Sequence, residues 1–306
     1  MKLSIVSPVY QADKVIGELV RRIHESVQQI TPDYEIILVE DGGLDNSWEE
    51  IANIASREEK VKGIRLSRNF GQHYAITAGL DHARGEWIVV MDCDLQDLPE
   101  EIPKLFAKTA EGYEVVLASR TRRRDSFVKK FFSRAFYKVL SYLTGYTHDE
   151  TIANFGIYHR KVIDAVISMR ESVRYFPTMI KWVGFNTTKV KVEHGRRTEG
   201  RSSYNFRSLF RLAIDIILAF SDKPIRLLIK AGGIVSLGSI VVAMVYLYKW
   251  LKGDVIVLGY TSLIVSIWFL SGLIMATLGV VGLYVGKTFE GVRQRPLYIV
   301  KEMIHD

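Results

Sequence analysis

The stretch GEWIVVMDCDLQDLPE, residues 85–100, decides the fold of this 306-residue chain, because a short apolar run ends there in acidic and amide side chains. Four further apolar runs lie in the first 120 residues, at 2–10, 34–41, 62–67 and 114–119. Between the first two, an apolar residue recurs every fourth position, at Val15, Leu19, Ile23 and Val27, which indicates a helix. Near-continuous apolar strands separated by helices predict an α/β domain with a parallel sheet buried on both faces.

Polar side chains follow two of these runs at the point where each strand ends, as Glu40-Asp41 and as Asp92-Cys93-Asp94 with Gln96. Ligands bind beyond the carboxyl ends of the strands in such sheets. Unpaired buried charge is costly, so the acidic residues indicate a bound cation, and their oxygens suit Mg²⁺ or Mn²⁺ on a nucleotide diphosphate. A solvated turn is the alternative for an isolated Asp-x-Asp. The first strand is not followed by the glycine-rich dinucleotide motif, which argues against a dinucleotide fold of the usual kind.

Two long uncharged runs lie in the last third of the chain, Ala231–Tyr248 and Val255–Gly286. A helix needs about 20 apolar residues to cross a bilayer, so we predict two transmembrane helices rather than a buried core hairpin. Basic residues favour the outer flanks by six to two: Lys223, Arg226, Lys230, Lys287, Arg293 and Arg295 against Lys249 and Lys252. This bias predicts that the large N-terminal domain and the C-terminal tail face the cytosol.

The net charge of +7 is concentrated in one segment, residues 120–138, which has eight basic residues and one acidic residue. Aromatic residues alternate with the basic ones at helical spacing, which favours an amphipathic helix on an anionic membrane over a solvated face or a nucleic-acid site. We therefore expect no nucleic-acid partner. A second amphipathic helix is predicted over residues 206–224, with a packed helix of the soluble domain as the alternative. The single cysteine, Cys93, excludes a disulfide framework.

Four stretches, in this order and spacing, carry a family resemblance: residues 4–10, 35–47, 65–80 and 85–100. Together they resemble the family 2 glycosyltransferases, and in particular the polyprenyl-phosphate glycosyltransferases that include dolichol-phosphate mannose synthases. The loop RRTEGRSSYNF, residues 196–206, followed by two apolar runs resembles the membrane-anchored bacterial members. The resemblance implies a GT-A catalytic domain, with a Rossmann-like mixed sheet, over residues 1–205. It is followed by a juxtamembrane amphipathic helix (206–224), two transmembrane helices (225–286) and a cytosolic tail (287–306).

The same resemblance assigns site residues. Around the nucleotide it places Pro8, Tyr10, Val39, Asp41 and Asp92, and it makes Asp94 and Gln96 ligands of Mg²⁺ or Mn²⁺. For the diphosphate and a lipid phosphate it provides Arg120 and Arg197, since the planar fork of arginine binds phosphate oxygens in pairs. The amphipathic segment 120–138 adds Arg134 beside the lipid phosphate, and Arg201 is a candidate to replace a family lysine that is Ser203 here. The catalytic residues would be Asp94, Arg120 and Asp149, the last being an acidic residue shortly before the segment 154–157, where relatives have a proposed base.

The predicted function is the inverting transfer of one sugar from a nucleotide-sugar, a UDP-hexose, to undecaprenyl (polyprenyl) phosphate. It would take place at the cytosolic face of the bacterial inner membrane and serve cell-envelope glycan modification. A processive polysaccharide synthase is one alternative, although its Gln-x-x-Arg-Trp motif has Thr178 and Lys181 here. A non-catalytic membrane scaffold is the other. Small residues in the apolar runs permit the close helix contacts of a homo-oligomer.

Overall fold

The computed structural model describes residues 1–120, 141–143, 152–171, 173–195, 217, 221–252 and 259–305. The chain divides into two compact units. The first, here called the sheet unit, comprises Met1–Lys138, Tyr146–Asn205 and Arg295–Asp306. The second comprises Val139–Gly145 and Phe206–Gln294, and its two long helices are here called the helix pair.

The sheet unit is built on one eight-stranded sheet with the order β7-β5-β6-β4-β1-β2-β3-β8. Its strands are β1 (Leu3–Val9), β2 (Tyr34–Glu40), β3 (Val61–Leu66), β4 (Trp87–Val90), β5 (Val115–Arg120), β6 (Ile152–His159), β7 (Thr187–Val192) and β8 (Val300–Ile304). The first five strands coincide with the five predicted runs. The central strands β4, β1, β2 and β3 are parallel, as predicted. Because β6 and β8 run antiparallel to their neighbours, the whole sheet is mixed rather than parallel.

Among the described residues, six α-helices accompany the sheet: α1 (Ile16–Val27), α2 (Ser47–Ala55), α3 (Gln72–His82), α4 (Ile102–Ala107), α5 (Arg160–Ser168) and α6 (Phe176–Val183). Short 3₁₀ turns at Pro99–Glu101 and Lys108–Glu111 flank α4. The apolar stripe predicted for α1 is confirmed, since Leu19, Ile23 and Val27 are fully buried. All seven positions of β1 and of β2 are buried as well. Each large apolar side chain so buried contributes about 1.5–3 kcal/mol, which holds the ends of these strands in place.

The end of the chain differs from the predicted tail. The second long helix continues to Val292, and residues 300–304 form β8 at the edge of the sheet, where Arg65 of β3 lies opposite Glu302. Sequence periodicity did not indicate this strand because its burial is partial and not alternating. Its partner strand also lies far earlier in the chain.

The helix pair consists of α7 (Lys223–Leu251) and α8 (Tyr260–Val292). Both helices are long and apolar enough to cross a membrane, over Lys223–Val242 and Ser266–Val292. Their apolar side chains are exposed, for example Ile234, Leu237 and Trp268 at 72%, 67% and 77%. The amphipathic helices predicted over 120–138 and 206–224 lie almost wholly outside the described residues.

Candidate functional site

The carboxyl ends of β1, β2 and β4 meet at one edge of the sheet. The amide of Asp41 donates to the carbonyl of Val9 at 2.9 Å, and the amide of Met91 donates to the carbonyl of Val6 at 3.1 Å. Tyr10, Asp41 and Asp92 therefore leave their strands side by side. This is the convergence that parallel pairing predicts.

The side chain of Asp41 joins the loop after β2 to the loop after β3. Its buried carboxylate accepts hydrogen bonds from the amides of Phe70 and Gly71, at 2.8 and 2.9 Å. Burial raises the pKa of Asp41 above its usual value, although the two amide hydrogen bonds oppose the rise. Gly42, with φ of +63°, lies so close to the second loop that a Cβ would be 2.2 Å from the carbonyl carbon of Arg68. Only glycine fits there, and the two loops pack backbone to backbone.

Pro8 and Val39 lie opposite each other in neighbouring strands and are both buried. The side chain of Val39 points into the core, where its Cγ2 would be 3.1 Å from a Cβ on Gly79 of α3. The side chain of Val39 is therefore part of the core and is not available to a ligand. Tyr10, by contrast, is 45% exposed at the same edge. Of these three predicted residues, Tyr10 is the one whose side chain is available to a ligand.

Amide side chains hold Asp92 from two directions. Its Oδ1 accepts a hydrogen bond from Gln72 Nε2 at 2.7 Å and a longer one from Asn154 Nδ2 at 3.5 Å. Gln72 is the first residue of α3, and Asn154 belongs to β6. Sequence reasoning missed both partners, although Gln72 lies within the 65–80 stretch that carries the family resemblance. Gln72 and Asn154 thus orient the carboxylate of Asp92.

The loop from Asp94 to Asp97 is a tight turn. Asp94 Oδ1 accepts a hydrogen bond from the amide of Gln96 at 3.1 Å, and Leu95 has a left-handed φ of +58°. Asp97 is buried below the turn, with Oδ2 3.4 Å from the amide nitrogen of Asp92 and Oδ1 4.0 Å from His194 Nδ1. The sequence did not single out Asp97 or His194, although Asp97 is the third acidic residue of the same motif.

Gly195, the last described residue before the predicted loop 196–206, contacts this turn. The amide of Gly195 donates to the carbonyl of Gln96 at 2.9 Å, and a Cβ on Gly195 would lie 2.5 Å from the carbonyl oxygen of Leu95. The predicted residues Arg134, Asp149, Arg197 and Arg201 lie outside the described residues, and so does the side chain of Arg120, the last residue of β5. Their assignment therefore stays a prediction.

Two further residues near this edge, Cys93 and His73, are uncharged at physiological pH. Burial, followed by the charge of Asp92, raises the pKa of the Cys93 thiol to about 12, so the thiol is neutral at physiological pH. Burial also lowers the pKa of His73 to about 4, with a smaller contribution from Arg174. The His73 ring packs edge-to-face on Tyr175 with 4.9 Å between centroids. Both side chains therefore suit packing rather than chemistry.

The donor atoms fit a cation that is shared with a phosphate ligand. Within the part of the chain that the structure describes, no group of three or more His, Cys, Asp or Glu side chains is arranged to hold a metal. The predicted ligands Asp94 and Gln96 offer hard oxygen atoms on one turn. Mg²⁺ is commonly bound by one or two carboxylates, with substrate phosphates and water completing its shell. The arrangement suits that kind of site and not an all-protein cage.

The fold has relatives among solved structures. It aligns with mannosyl-3-phosphoglycerate synthase from Rubrobacter xylanophilus, with a TM-score of 0.50, 16% identity, and coverage of 76% of this chain and 75% of that one. It also aligns with a complex of glucosyl-3-phosphoglycerate synthase from Mycobacterium tuberculosis with Mn²⁺, UDP-glucose and phosphoglyceric acid, with a TM-score of 0.50, 16% identity, and coverage of 71% and 78%. The predicted GT-A fold is confirmed.

Sequence comparison gives the family. The profile described as glycosyl transferase family 2 matches residues 4–167. The chain is 38% identical over 303 residues to the uncharacterized glycosyltransferase YkcC of Bacillus subtilis (strain 168), covering 99% of this chain and 94% of the relative. It is 32% identical over 308 residues to the undecaprenyl-phosphate 4-deoxy-4-formamido-L-arabinose transferase of Proteus mirabilis (strain HI4320), again covering 99% and 94%. The chain belongs to glycosyl transferase family 2.

Proposed function

We propose that this protein transfers one hexose from a UDP-hexose to undecaprenyl phosphate at the cytosolic face of the bacterial inner membrane. One observation carries the proposal: a single chain joins acidic loops at the edge of a GT-A sheet to two helices long enough to cross a membrane. A water-soluble donor and a lipid acceptor need these two features together. The relative from Proteus mirabilis is named for transfer to undecaprenyl phosphate, which supports the choice of acceptor.

The donor would bind along the edge formed by β1, β2 and β4. Tyr10 and the Asp41 loop would hold the nucleoside, and Asp92, oriented by Gln72 and Asn154, would hold the ribose. Asp94 and Gln96 would bind Mg²⁺ or Mn²⁺. Such a cation, when bound, neutralises charge on the leaving diphosphate. The structurally similar glucosyl-3-phosphoglycerate synthase was crystallised with Mn²⁺ and UDP-glucose, which supports the choice of a divalent cation and a UDP-sugar.

The acceptor phosphate would be gripped by arginines, for which the candidates are Arg120, Arg134, Arg197 and Arg201. A phosphate monoester has a second pKa of about 6, so the attacking oxygen is already largely deprotonated near neutral pH. Positioning and charge stabilisation would then supply most of the catalysis, and Asp149 would be the base if one is used. A single in-line displacement inverts the anomeric carbon.

The membrane part of the proposal follows from α7 and α8. Two crossings return the chain to the side from which it started, and the distribution of basic residues favours the cytosol for that side. A Cβ added to glycines along both helices, such as Gly238 and Gly272, would meet no atom within 4 Å. Their faces offer room for a second copy of the chain.

The experiment is a donor screen with undecaprenyl phosphate and Mn²⁺, using UDP-glucose, UDP-galactose, UDP-N-acetylhexosamines and GDP-mannose. We expect one UDP-sugar to give a butanol-soluble lipid carrying a single sugar, and Asp94→Ala to lower the rate by about 10²-fold or more. Asp33→Ala is the matched control, because Asp33 lies on the surface beside the N-terminal amine. A polymeric product would instead identify a processive synthase, and absence of metal-dependent nucleotide binding would identify a scaffold.

A further inference from the structure

We propose that the C-terminal segment, residues 298–304, positions the two loops that would hold the donor nucleotide. These donor loops are residues 40–43 after β2 and residues 67–71 after β3. The inference rests on the proposed function for the identity of the ligand, and on the described contacts for everything else. The C-terminal segment, which follows the helix pair in the sequence, would then contribute to the donor site.

The first contact is made by the backbone. β8 pairs antiparallel with β3, with Gly63 opposite Ile304 and Arg65 opposite Glu302. The register shifts between Arg65 and Leu66, immediately before the second donor loop. The amide of Ser67, the first residue of that loop, then donates to the carbonyl of Ile299 at 2.9 Å. The C-terminal segment therefore holds the point at which the chain leaves β3.

A series of charged side chains connects Glu302 of β8 to the first donor loop. Glu302 accepts a hydrogen bond from Trp48 Nε1 at 2.9 Å and pairs with Arg65 Nη1 at 3.2 Å. On its other side, Arg65 Nε lies 3.5 Å from Oε2 of the buried Glu40. The other oxygen of Glu40 accepts a hydrogen bond from the amide of Gly43. A buried carboxylate needs such a partner, so Arg65 and Glu302 together determine where Glu40 holds its loop.

A third contact is made with α3, the helix that follows the second donor loop. Tyr298 donates to Asp81 Oδ2 at 2.7 Å, and Arg170 binds both oxygens of Asp81 at 3.0 and 3.1 Å. Asp81 belongs to α3, the helix whose first residue, Gln72, binds Asp92. Since a helix transmits displacement as a rigid element, holding Asp81 restrains the position of Gln72.

These contacts surround the donor loops. In the chain, residues 67–71 follow β3 and precede α3, and the C-terminal segment contacts both of these elements. The loops themselves are joined by the Asp41 carboxylate and by the close packing of Gly42 on Arg68. Loosening the C-terminal segment should therefore loosen both donor loops together.

The test uses the full-length protein in detergent with three variants. Glu302→Gln removes the charge beside Arg65, and Tyr298→Phe removes the hydrogen bond to Asp81. Glu111→Gln is the control, since Glu111 forms an exposed pair with Lys108. The readouts are hydrogen exchange of residues 67–71 without nucleotide, the Kd for UDP with Mn²⁺ by calorimetry, and the donor KM and kcat. We expect faster loop exchange and a Kd and KM raised about three- to tenfold, with kcat within twofold of the wild type.

Unchanged loop exchange in both test variants would overturn the inference. So would a lower Tm with unchanged exchange and Kd, because that pattern describes an edge strand with a purely structural role. A wild type that binds no nucleotide, together with faster exchange in Glu302→Gln, would remove the proposed donor while supporting the positioning of the loops. The failure of the proposed function and the failure of this inference thus give different results.

Discussion

The sheet unit and the helix pair use the same kinds of residue in opposite ways. A Cβ on Gly79 of α3 would lie 2.3 Å from Val6 Cγ1, whereas Cβ atoms on Gly238 or Gly272 of the helix pair would meet no atom within 4 Å. Ile23 of α1 is fully buried, while Ile234 of α7 is 72% exposed. Apolar residues of the sheet unit are buried within the chain, whereas many described apolar side chains of α7 and α8 are exposed.

The difference agrees with the membrane location proposed for the helix pair. A protein surface in water rarely presents an apolar area as continuous as that of α7 and α8. In hydrocarbon the same surface costs nothing, and a helix satisfies its own backbone hydrogen bonds. Adding a methyl group or protonating a buried side chain should therefore lower the stability of the sheet unit. The helix pair should tolerate such changes.

The largest expected effect is at the contact between the donor loops. Gly42→Ala places a Cβ against the backbone of Arg68 and imposes a left-handed φ of +63° on alanine. Overpacking and strain together should lower the free energy of unfolding by about 3 kcal/mol, measured by thermal denaturation of the full-length protein. Gly112→Ala is the control, since Gly112 also has a positive φ, of +85°, but nothing lies within 4 Å. Equal losses in the two variants would contradict the close packing of the loops.

The second effect is a pH dependence confined to the sheet unit. The pKa of His73 is lowered from 6.5 to about 4, so between these values the unfolded chain binds a proton that the folded chain does not. Stability is therefore complete above pH 6.5 and is lost as the pH falls towards 4, by about 2 kcal/mol between pH 7.5 and pH 5. His73→Phe keeps a ring against Tyr175 and should remove this part of the loss. Denaturation curves of the wild type and of His73→Phe at pH 7.5 and pH 5 test this expectation. Equal losses of stability in the two proteins would contradict the assignment of the pH dependence to His73.

The smallest expected effect comes from making the same glycine-to-alanine substitution in each of the two units. Gly79→Ala should destabilise the protein by about 1–2 kcal/mol, because overpacking against Val6 exceeds the gain in helix propensity. Gly272→Ala adds the same methyl group to the open face of α8, and should change stability by less than about 1 kcal/mol, in the stabilising direction. Thermal denaturation of the two variants in the same detergent provides the comparison. A large loss at Gly272 would reveal that this face packs against another helix.

Prediction from the sequence succeeded where local pattern is sufficient. The apolar runs located β1 to β5, and the fourfold spacing of Leu19, Ile23 and Val27 located the buried face of α1. The acidic residues at strand ends indicated an edge at which Asp41 and Asp92 do converge. The antiparallel strands were missed: β6 carries the Asn154 that binds Asp92, and β8 carries the Glu302 that pairs with Arg65. The sequence pattern within either strand does not predict the strand with which it pairs.

The sequence alone determined which residues are apolar, at what period, and where charge interrupts them, and this was enough to separate an α/β sheet unit from two long apolar helices. Only the tertiary structure decided that Gln72 and Asn154 orient Asp92, that His194 lies 4.0 Å from the buried Asp97, and that the end of the chain returns to the sheet. The physical reason is distance along the chain. Strand and helix periods depend on neighbouring residues, whereas these contacts join residues far apart in sequence, which only the folded sheet brings within hydrogen-bonding range.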